Sequence, residues 1–155
     1  MENNKFMQMA IDISLRSVNE GGGPFGAVVV KDGVVVSKES NSVTLTNDPT
    51  AHAEVNAIRK ACGALETFSL KGCILYSSCE PCPMCLSAAY WAGISKIYYG
   101  NSRADAQEIN FDDSFIYDQI PLNPAMRSIP SEQLLKEEAI KAFKLWDMKE
   151  DKIAY

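Results

Sequence analysis

A strand, helix, strand pattern in the middle of the chain restricts the fold more than any other feature. Residues 73–76 form a short apolar run that predicts a strand buried on both faces. Residues 81–91 predict a helix that tolerates proline in its first turn and ends before Gly93, and residues 96–99 predict a second strand. Because such a connection joins parallel strands with a right-handed crossover, this segment predicts a parallel pair with a helix on one face.

The N-terminal part predicts a helix followed by an antiparallel hairpin. Apolar residues recur at spacings of three and four over residues 3–19. Two β-branched runs, at residues 25–30 and 34–36, flank Asp32-Gly33, a dipeptide typical of a tight hairpin turn. Combined with the parallel pair, these elements predict an α/β fold with a mixed sheet and helices on both faces.

The remaining segments give a weaker pattern. Residues 41–50 predict a loop and residues 51–63 a helix, whereas residues 111–117 fit helix and strand equally. Residues 137–152 predict a final helix, with Ile140, Phe143 and Trp146 expected to face inward. We expect one domain over residues 1–155.

Composition narrows the classes of function. A chain of 155 residues can form one sizeable core. Its formal net charge of -5 disfavours nucleic acid, which binds basic surfaces. No apolar run reaches the 18 or so residues of a membrane span, and the N-terminus lacks the apolar core of a secretory signal. We therefore expect a cytoplasmic protein whose five cysteines are thiols or metal ligands rather than disulfides.

Two short motifs carry groups suited to binding a metal ion. The His-Ala-Glu motif at residues 52–54 and the Pro-Cys-Pro-Met-Cys motif at residues 81–85 each begin a predicted helix. Zinc accepts imidazole and thiolate ligands in a tetrahedral shell, and three protein ligands leave the fourth position for water. Helix N-termini also stabilise thiolates. The motifs therefore predict that His52, Cys82 and Cys85 bind one Zn²⁺ per chain.

Glu54 is the predicted catalytic residue beside that site. Bound zinc lowers the pKa of water from about 15.7 to about 7, which supplies a nucleophile at neutral pH. Glu54 would then move protons, a contribution on the order of 10²–10⁴-fold. The alternative is a closed structural site with Cys79 as fourth ligand; it is disfavoured because it gives Glu54 no role. Cys62 and Cys73 are interpreted as small core residues.

The paired motifs resemble the signature of the cytidine deaminase superfamily. Within it, the chain resembles the short bacterial guanine deaminases nearly end to end. The broadly shared stretches are residues 22–27, 47–54 and 79–85. The narrower markers are the Phe-Asp-Asp-Ser-Phe-Ile-Tyr stretch at residues 111–117 and the closing Tyr155.

The resemblance implies a three-layer α/β/α fold with a five-stranded mixed sheet and zinc-dependent hydrolysis of guanine to xanthine and ammonia. It also implies a homodimer that exchanges C-terminal segments, about residues 131–155. The substrate-binding residues that it implies are Asn41 and Asp113 as hydrogen-bond partners of the purine, Phe25 and Trp91 near its ring, Ala53, and Tyr155 closing the partner's pocket.

From the residues alone, several of these side chains can also be explained by a structural role without any contact to substrate. Trp91 fits core packing equally well, and Asn41 is better explained as a turn former. Asp113 fits an exposed turn, and a terminal Tyr155 is ordinarily frayed chain. The alternative functions are deamination of tRNA adenosine, cytosine or a purine nucleoside such as guanosine, and a non-catalytic zinc protein.

Overall fold

A computed structural model describes residues 2–155 of the protein. Seven helices, four strands and one short 3-10 helix make up its regular structure. In chain order they are α1 (Glu2–Asn19), β1 (Gly26–Lys31), β2 (Val34–Ser40), α2 (Val43–Thr46), α3 (Ala53–Ala64), β3 (Cys73–Cys79), α4 (Pro83–Ala92), β4 (Lys96–Asn101), α5 (Arg103–Glu108), α6 (Ser114–Gln119), the 3-10 helix Pro124–Met126 and α7 (Lys136–Asp147).

The strands form one mixed sheet in the order β2-β1-β3-β4. β1 pairs antiparallel with both β2 and β3, whereas β3 and β4 are parallel, so the predicted crossover around α4 is confirmed. The expected count of five strands is wrong for residues 2–155, where the sheet has four. After β4 the chain continues into α5 and α6. Residues 111–117, for which the sequence fitted helix and strand equally, include the start of α6 at Ser114.

The hairpin between β1 and β2 has the predicted turn. Asp32 and Gly33 both have positive φ, at 49° and 76°. A type I′ turn requires this conformation at both central residues, and its twist matches that of the two flanking strands. The Asp-Gly dipeptide therefore determines where the chain reverses.

Helices cover both faces of the sheet, as expected for three layers. On one face Phe6 of α1 packs with Val28 and Tyr76, and on the other Ala57 of α3 packs with Leu75. A small residue brings α1 close to the sheet: a Cβ on Gly26 would lie 2.3 Å from the carbonyl oxygen of Ala10. Since side chains alternate along a strand, odd positions of β3 face α3 and even positions face α1.

The structure differs from the sequence-based expectation in two further places. The segment predicted to be a loop, residues 41–50, contains the one-turn helix α2. The final helix α7 exists but is shorter than predicted, and the expectation that its large apolar residues face inward is wrong for Phe143 and Trp146, which are 74% and 44% exposed. Periodicity identifies the apolar face of a helix but not whether another part of the molecule covers that face.

The chain divides into two compact units, one ending at Asp113 and the other comprising Ser114–Tyr155. The first holds the sheet and α1–α5. The second holds α6, α7 and the 3-10 helix, and none of its residues is classed as buried. The single-domain organisation over residues 1–155 stays a prediction. None of the helices described, from residue 2 onward, combines the length and apolarity needed to cross a membrane.

Candidate active site

One edge of the sheet collects the residues that the sequence singled out. Gly26 pairs with Ser40, and Cys79 pairs with Asn101, so β1 begins at the edge where the other three strands end. The chain segments next to this edge, before β1 and after the other three strands, carry the residues of interest. They are Phe25, Asn41, Cys82 and Arg103. Ligands of open α/β sheets bind at the carboxyl ends of the strands, so this edge is the expected place for a site.

Two helix N-termini meet at this edge and carry the three predicted metal ligands. His52 is the N-cap residue of α3, and Cys82 is the N-cap residue of α4, with Cys85 in the first turn of α4. The Nδ1 atom of His52 lies 3.5 Å from Sγ of Cys82 and 3.4 Å from Sγ of Cys85. In a tetrahedral zinc site, bond lengths of about 2.3 Å to sulfur and about 2.0 Å to nitrogen place such atoms about 3.5 Å apart. The donor set therefore fits zinc in both chemistry and spacing.

The side chain of Asn56 holds the loop that precedes His52. Its Nδ2 donates to the carbonyl oxygens of Ser40 and Ala51 and to Oγ of Ser42, over 3.0, 3.3 and 3.1 Å. One amide thus ties α3, the end of β2 and the chain before His52 together. These hydrogen bonds hold the backbone next to His52 and so help to fix the position of its imidazole.

Glu54 lies beside the metal ligands in the first turn of α3 and is 4% exposed. Its Oε1 accepts a hydrogen bond from Oγ of Ser77 at 3.1 Å, and its Oε2 accepts one from Sγ of Cys85 at 3.4 Å. Burial raises the pKa of this carboxyl above its ordinary value. A carboxyl held next to the metal ligands, with a raised pKa, can take up and release a proton nearer neutral pH.

The three ligands share protons unequally in the chain without metal. The interactions with Cys85 and with His52 lower the pKa of Cys82 to about 4, despite burial. The interaction with Cys82, together with burial, raises the pKa of Cys85, and the hydrogen bond with Cys82 raises the pKa of His52. Of the two cysteines, Cys82 therefore loses its proton more readily, and the thiolate is the form in which cysteine binds metal.

Cys79 does not join this group. Among residues 2–155, the one group of three or more metal-ligating side chains consists of His52, Cys82 and Cys85. The thiol of Cys79 lies 3.7 Å from the carbonyl oxygen of Ser102, and burial raises its pKa to about 11. Because Cys79 lies outside this group and its thiol faces backbone, the geometry gives no support to a closed four-ligand site.

Four of the predicted substrate residues lie in the first unit near this edge. Asn41 is 6% exposed and its Oδ1 accepts from the backbone N–H of Val43 at 3.2 Å. Phe25 packs edge-on against the ring of Phe111 at a centroid distance of 5.0 Å. Ala53, which is fully buried, is the first residue of α3. The fourth, Asp113, accepts a hydrogen bond from Nε of Arg103.

Trp91 and Tyr155 are 73% and 83% exposed. Trp91 lies in the last turn of α4, about 9 Å along the helix axis from Cys85 at 1.5 Å per residue. Core packing, the alternative explanation for Trp91, is wrong at this exposure. Tyr155 belongs to the second unit. The substrate roles of Trp91 and Tyr155 stay predictions.

Sequence reasoning missed three residues that support the site: Ser77, Asn56 and Arg103. The alternation of β3 was a usable signal for Ser77, since it shares a face with Leu75. Asn56 and Arg103 had no such signal, because each contacts groups that are distant along the chain.

The chain was compared with known protein families and structures. Residues 1–101 match the family model described as the cytidine and deoxycytidylate deaminase zinc-binding region, which spans both motifs. Guanine deaminase of Bacillus subtilis (strain 168) is 50% identical over 147 residues, or 94% of each chain. The tRNA-specific adenosine deaminase of Aquifex aeolicus (strain VF5) is 44% identical over 94 residues, which covers 61% of this chain and 62% of that one.

A solved structure extends the likeness to the whole fold. The X-ray structure of guanine deaminase from Bacillus subtilis matches with a TM-score of 0.97 and 48% identity, covering 100% of this chain and 99% of the other. The family match includes all three candidate zinc ligands and Glu54. On these grounds the chain belongs to the cytidine and deoxycytidylate deaminase family of zinc-binding proteins.

Proposed function

We propose that this protein is a zinc-dependent guanine deaminase, which converts guanine and water to xanthine and ammonia. One observation carries the chemistry: His52, Cys82 and Cys85 converge within 4.8 Å, and the buried carboxyl of Glu54 contacts Cys85. The choice of guanine is supported by the Bacillus subtilis guanine deaminase, which is similar over 94% of this chain.

The imidazole of His52 and the thiolates of Cys82 and Cys85 would hold the metal. When bound, zinc would lower the pKa of a water molecule to about 7 and so make that water a nucleophile at neutral pH. The two cysteines bind as thiolates because both lie at the N-terminus of α4, where free N–H groups favour negative charge.

Glu54 is the proposed proton carrier. The overall reaction takes two protons from water and places one on a ring nitrogen and one on the leaving amine. Glu54 can carry both, because its carboxyl is buried, has a raised pKa and lies at the metal site. Glu54 lies in the first turn of α3, two residues after the proposed ligand His52, so the helix backbone holds it close to the site.

Asn41, Asp113, Phe25 and Ala53 form the proposed purine site of the first unit. The carboxamide of Asn41 and the carboxylate of Asp113 offer hydrogen-bond partners to the polar edges of a purine, and the ring of Phe25 offers an apolar surface. Specific recognition of a base depends on such fixed polar groups in an otherwise apolar pocket.

A second copy of the chain completes the proposed enzyme, as a homodimer with exchanged C-terminal segments of about residues 131–155. The second unit has no buried residue, and Phe143, Leu145 and Trp146 of α7 are 74%, 66% and 44% exposed. Apolar surface of this kind marks a protein interface. In such a dimer Tyr155 would close the partner's site. A cytoplasmic location, consistent with five free cysteines, is part of the proposal.

A panel of substrates tests this function. The zinc-loaded protein is incubated with guanine, adenine, cytosine, guanosine and a tRNA that contains adenosine in its anticodon, and release of ammonia is measured. We expect turnover of guanine. Turnover of guanosine or cytosine but not guanine would overturn the choice of substrate. Turnover of tRNA adenosine alone would favour the activity named for the Aquifex relative, which the net charge of -5 opposes.

A further inference from the structure

A serine on the central strand contacts the proposed catalytic carboxylate. Ser77 lies on β3, whose odd-numbered residues face α3, as Cys73 and Leu75 do. Its backbone position is held on both sides, because it pairs with Ala27 of β1 and Tyr99 of β4. The hydroxyl is therefore presented to Glu54 from an interior strand of the sheet.

The contact between Ser77 and Glu54 is buried. The Oγ atom of Ser77 lies 3.1 Å from Oε1 of Glu54, and the two residues are 1% and 4% exposed. Oε2, the other carboxylate oxygen, lies 3.4 Å from Sγ of the metal ligand Cys85. A hydrogen bond to Oε1 thus determines which oxygen of Glu54 faces the metal site.

We propose that Ser77 is a positioning residue for Glu54: its hydroxyl holds Oε1 so that Oε2 stays directed at the metal site. This inference rests on the proposed function, in which Glu54 carries protons between water, ring nitrogen and amine. Proton transfer requires the carboxyl within hydrogen-bond reach of each group, and small misplacements of a positioned group are costly in rate. Ser77 acts only through Glu54 and does not itself touch the substrate.

A second buried serine provides a matched control. Ser37 of β2 is 4% exposed, and its Oγ donates to the carbonyl oxygen of Ala57 at 2.7 Å. Both serines are strand residues whose hydroxyls donate to α3, but Ser37 binds backbone and Ser77 binds the catalytic carboxyl. A purely structural role for Ser77 predicts that the two alanine variants behave alike.

The test compares Ser77→Ala, Ser77→Thr and Ser37→Ala as zinc-loaded proteins. We expect Ser77→Ala to lower kcat about 10- to 100-fold, as befits a hydrogen bond to a charged group, with bound zinc unchanged and KM for guanine within about threefold. Ser77→Thr keeps the hydroxyl and should restore most of kcat. Ser37→Ala should lower the melting temperature and leave kcat unchanged. Equal kcat in Ser77→Ala and Ser37→Ala would overturn the proposal.

Two further measurements separate this inference from the proposed function. In a Glu54→Gln background, Ser77→Ala should cause no further loss of rate; a full additional loss would show that Ser77 acts independently of Glu54. Crystal structures of the zinc-loaded wild type and Ser77→Ala give a readout without turnover. We expect the Glu54 carboxyl to rotate away in the variant, and an unmoved carboxyl would refute the positioning role. If the wild type deaminates another base instead of guanine, the rate comparison is made on that base.

Discussion

The Nε atom of Arg103 lies 3.3 Å from Oδ1 of Asp113. The backbone N–H of the same arginine donates to Oε2 of Glu80 at 3.2 Å, two residues before the ligand Cys82. Arg103 therefore connects the proposed purine contact Asp113 to the turn that carries the metal ligands. The Asp113 side chain is 18% exposed, so the pair is partly shielded from solvent.

Arg103→Ala should weaken substrate binding more than the chemical step. Without the guanidinium, the Asp113 carboxylate loses the partner that orients it. Because the pair is partly exposed, we expect only about a three- to tenfold rise in KM for guanine, with kcat nearly unchanged. Steady-state kinetics measure both constants. Arg16→Ala, which removes an exposed ion pair between Arg16 of α1 and Glu20, is the control. An unchanged KM in Arg103→Ala would contradict the assignment.

Glu54→Gln should keep zinc and lose most turnover. The amide replaces the carboxyl at nearly the same volume but cannot carry protons, so we expect kcat to fall on the order of 10²–10⁴-fold. Metal analysis and ammonia release are measured on the same sample. Unchanged turnover in a zinc-replete variant would refute the proton-carrier role.

Removal of the metal should abolish activity reversibly and destabilise the fold. Zinc at about a thousandfold excess over its dissociation constant adds about 4 kcal/mol of stability, which for a chain of this size corresponds to a rise in melting temperature of about 10 °C. Calorimetry before and after chelation and zinc return measures this shift.

Single ligand variants extend the metal test. His52→Ala and Cys82→Ser should bind little zinc, whereas Cys79→Ser should bind it normally, because Cys79 lies outside the ligand group. X-ray absorption should count two sulfur ligands. Three sulfurs, or loss of zinc in Cys79→Ser, would instead favour the closed structural site.

The cysteines should differ in their reaction with iodoacetamide in the metal-free protein. With a pKa of about 4, Cys82 is a thiolate throughout the neutral range, so its alkylation rate should stay nearly constant between about pH 6 and pH 9. Cys79, whose pKa is raised to about 11, should react slowly and speed up as pH rises. Peptide mass spectrometry follows each site. Zinc should protect Cys82, and a rate for Cys82 that rises tenfold per pH unit would contradict the lowered pKa.

Exchange of C-terminal segments should be detectable by mixing two inactive variants. Glu54→Gln subunits retain Tyr155, and Tyr155→Ala subunits retain Glu54. If Tyr155 closes the partner's site, refolding an equal mixture gives hybrid dimers with one intact site, and about a quarter of all sites regain activity. If Tyr155 serves its own chain, the mixture should stay as inactive as its components.

Elements with strong local signals were predictable from the residues alone. Asp32-Gly33 specified the hairpin because few dipeptides accept positive φ at both positions. The strand, helix, strand pattern at residues 73–99 specified a parallel pair, because parallel strands need a long crossover connection, which is usually a helix. The ligand set was predictable as well, since His52 and Cys82 each precede a helix whose start positions them.

The groups that surround those ligands depend on tertiary packing. Ser77 contacts Glu54 across 23 positions of sequence, and strand alternation gives the face of Ser77 but not this partner. Arg103, the first residue of α5, contacts Asp113 beyond the end of that helix. The number of strands and the exposure of Phe143 on α7 likewise depend on which surfaces the folded chain covers. Local propensity acts over a few neighbouring residues, whereas these contacts depend on how distant segments pack.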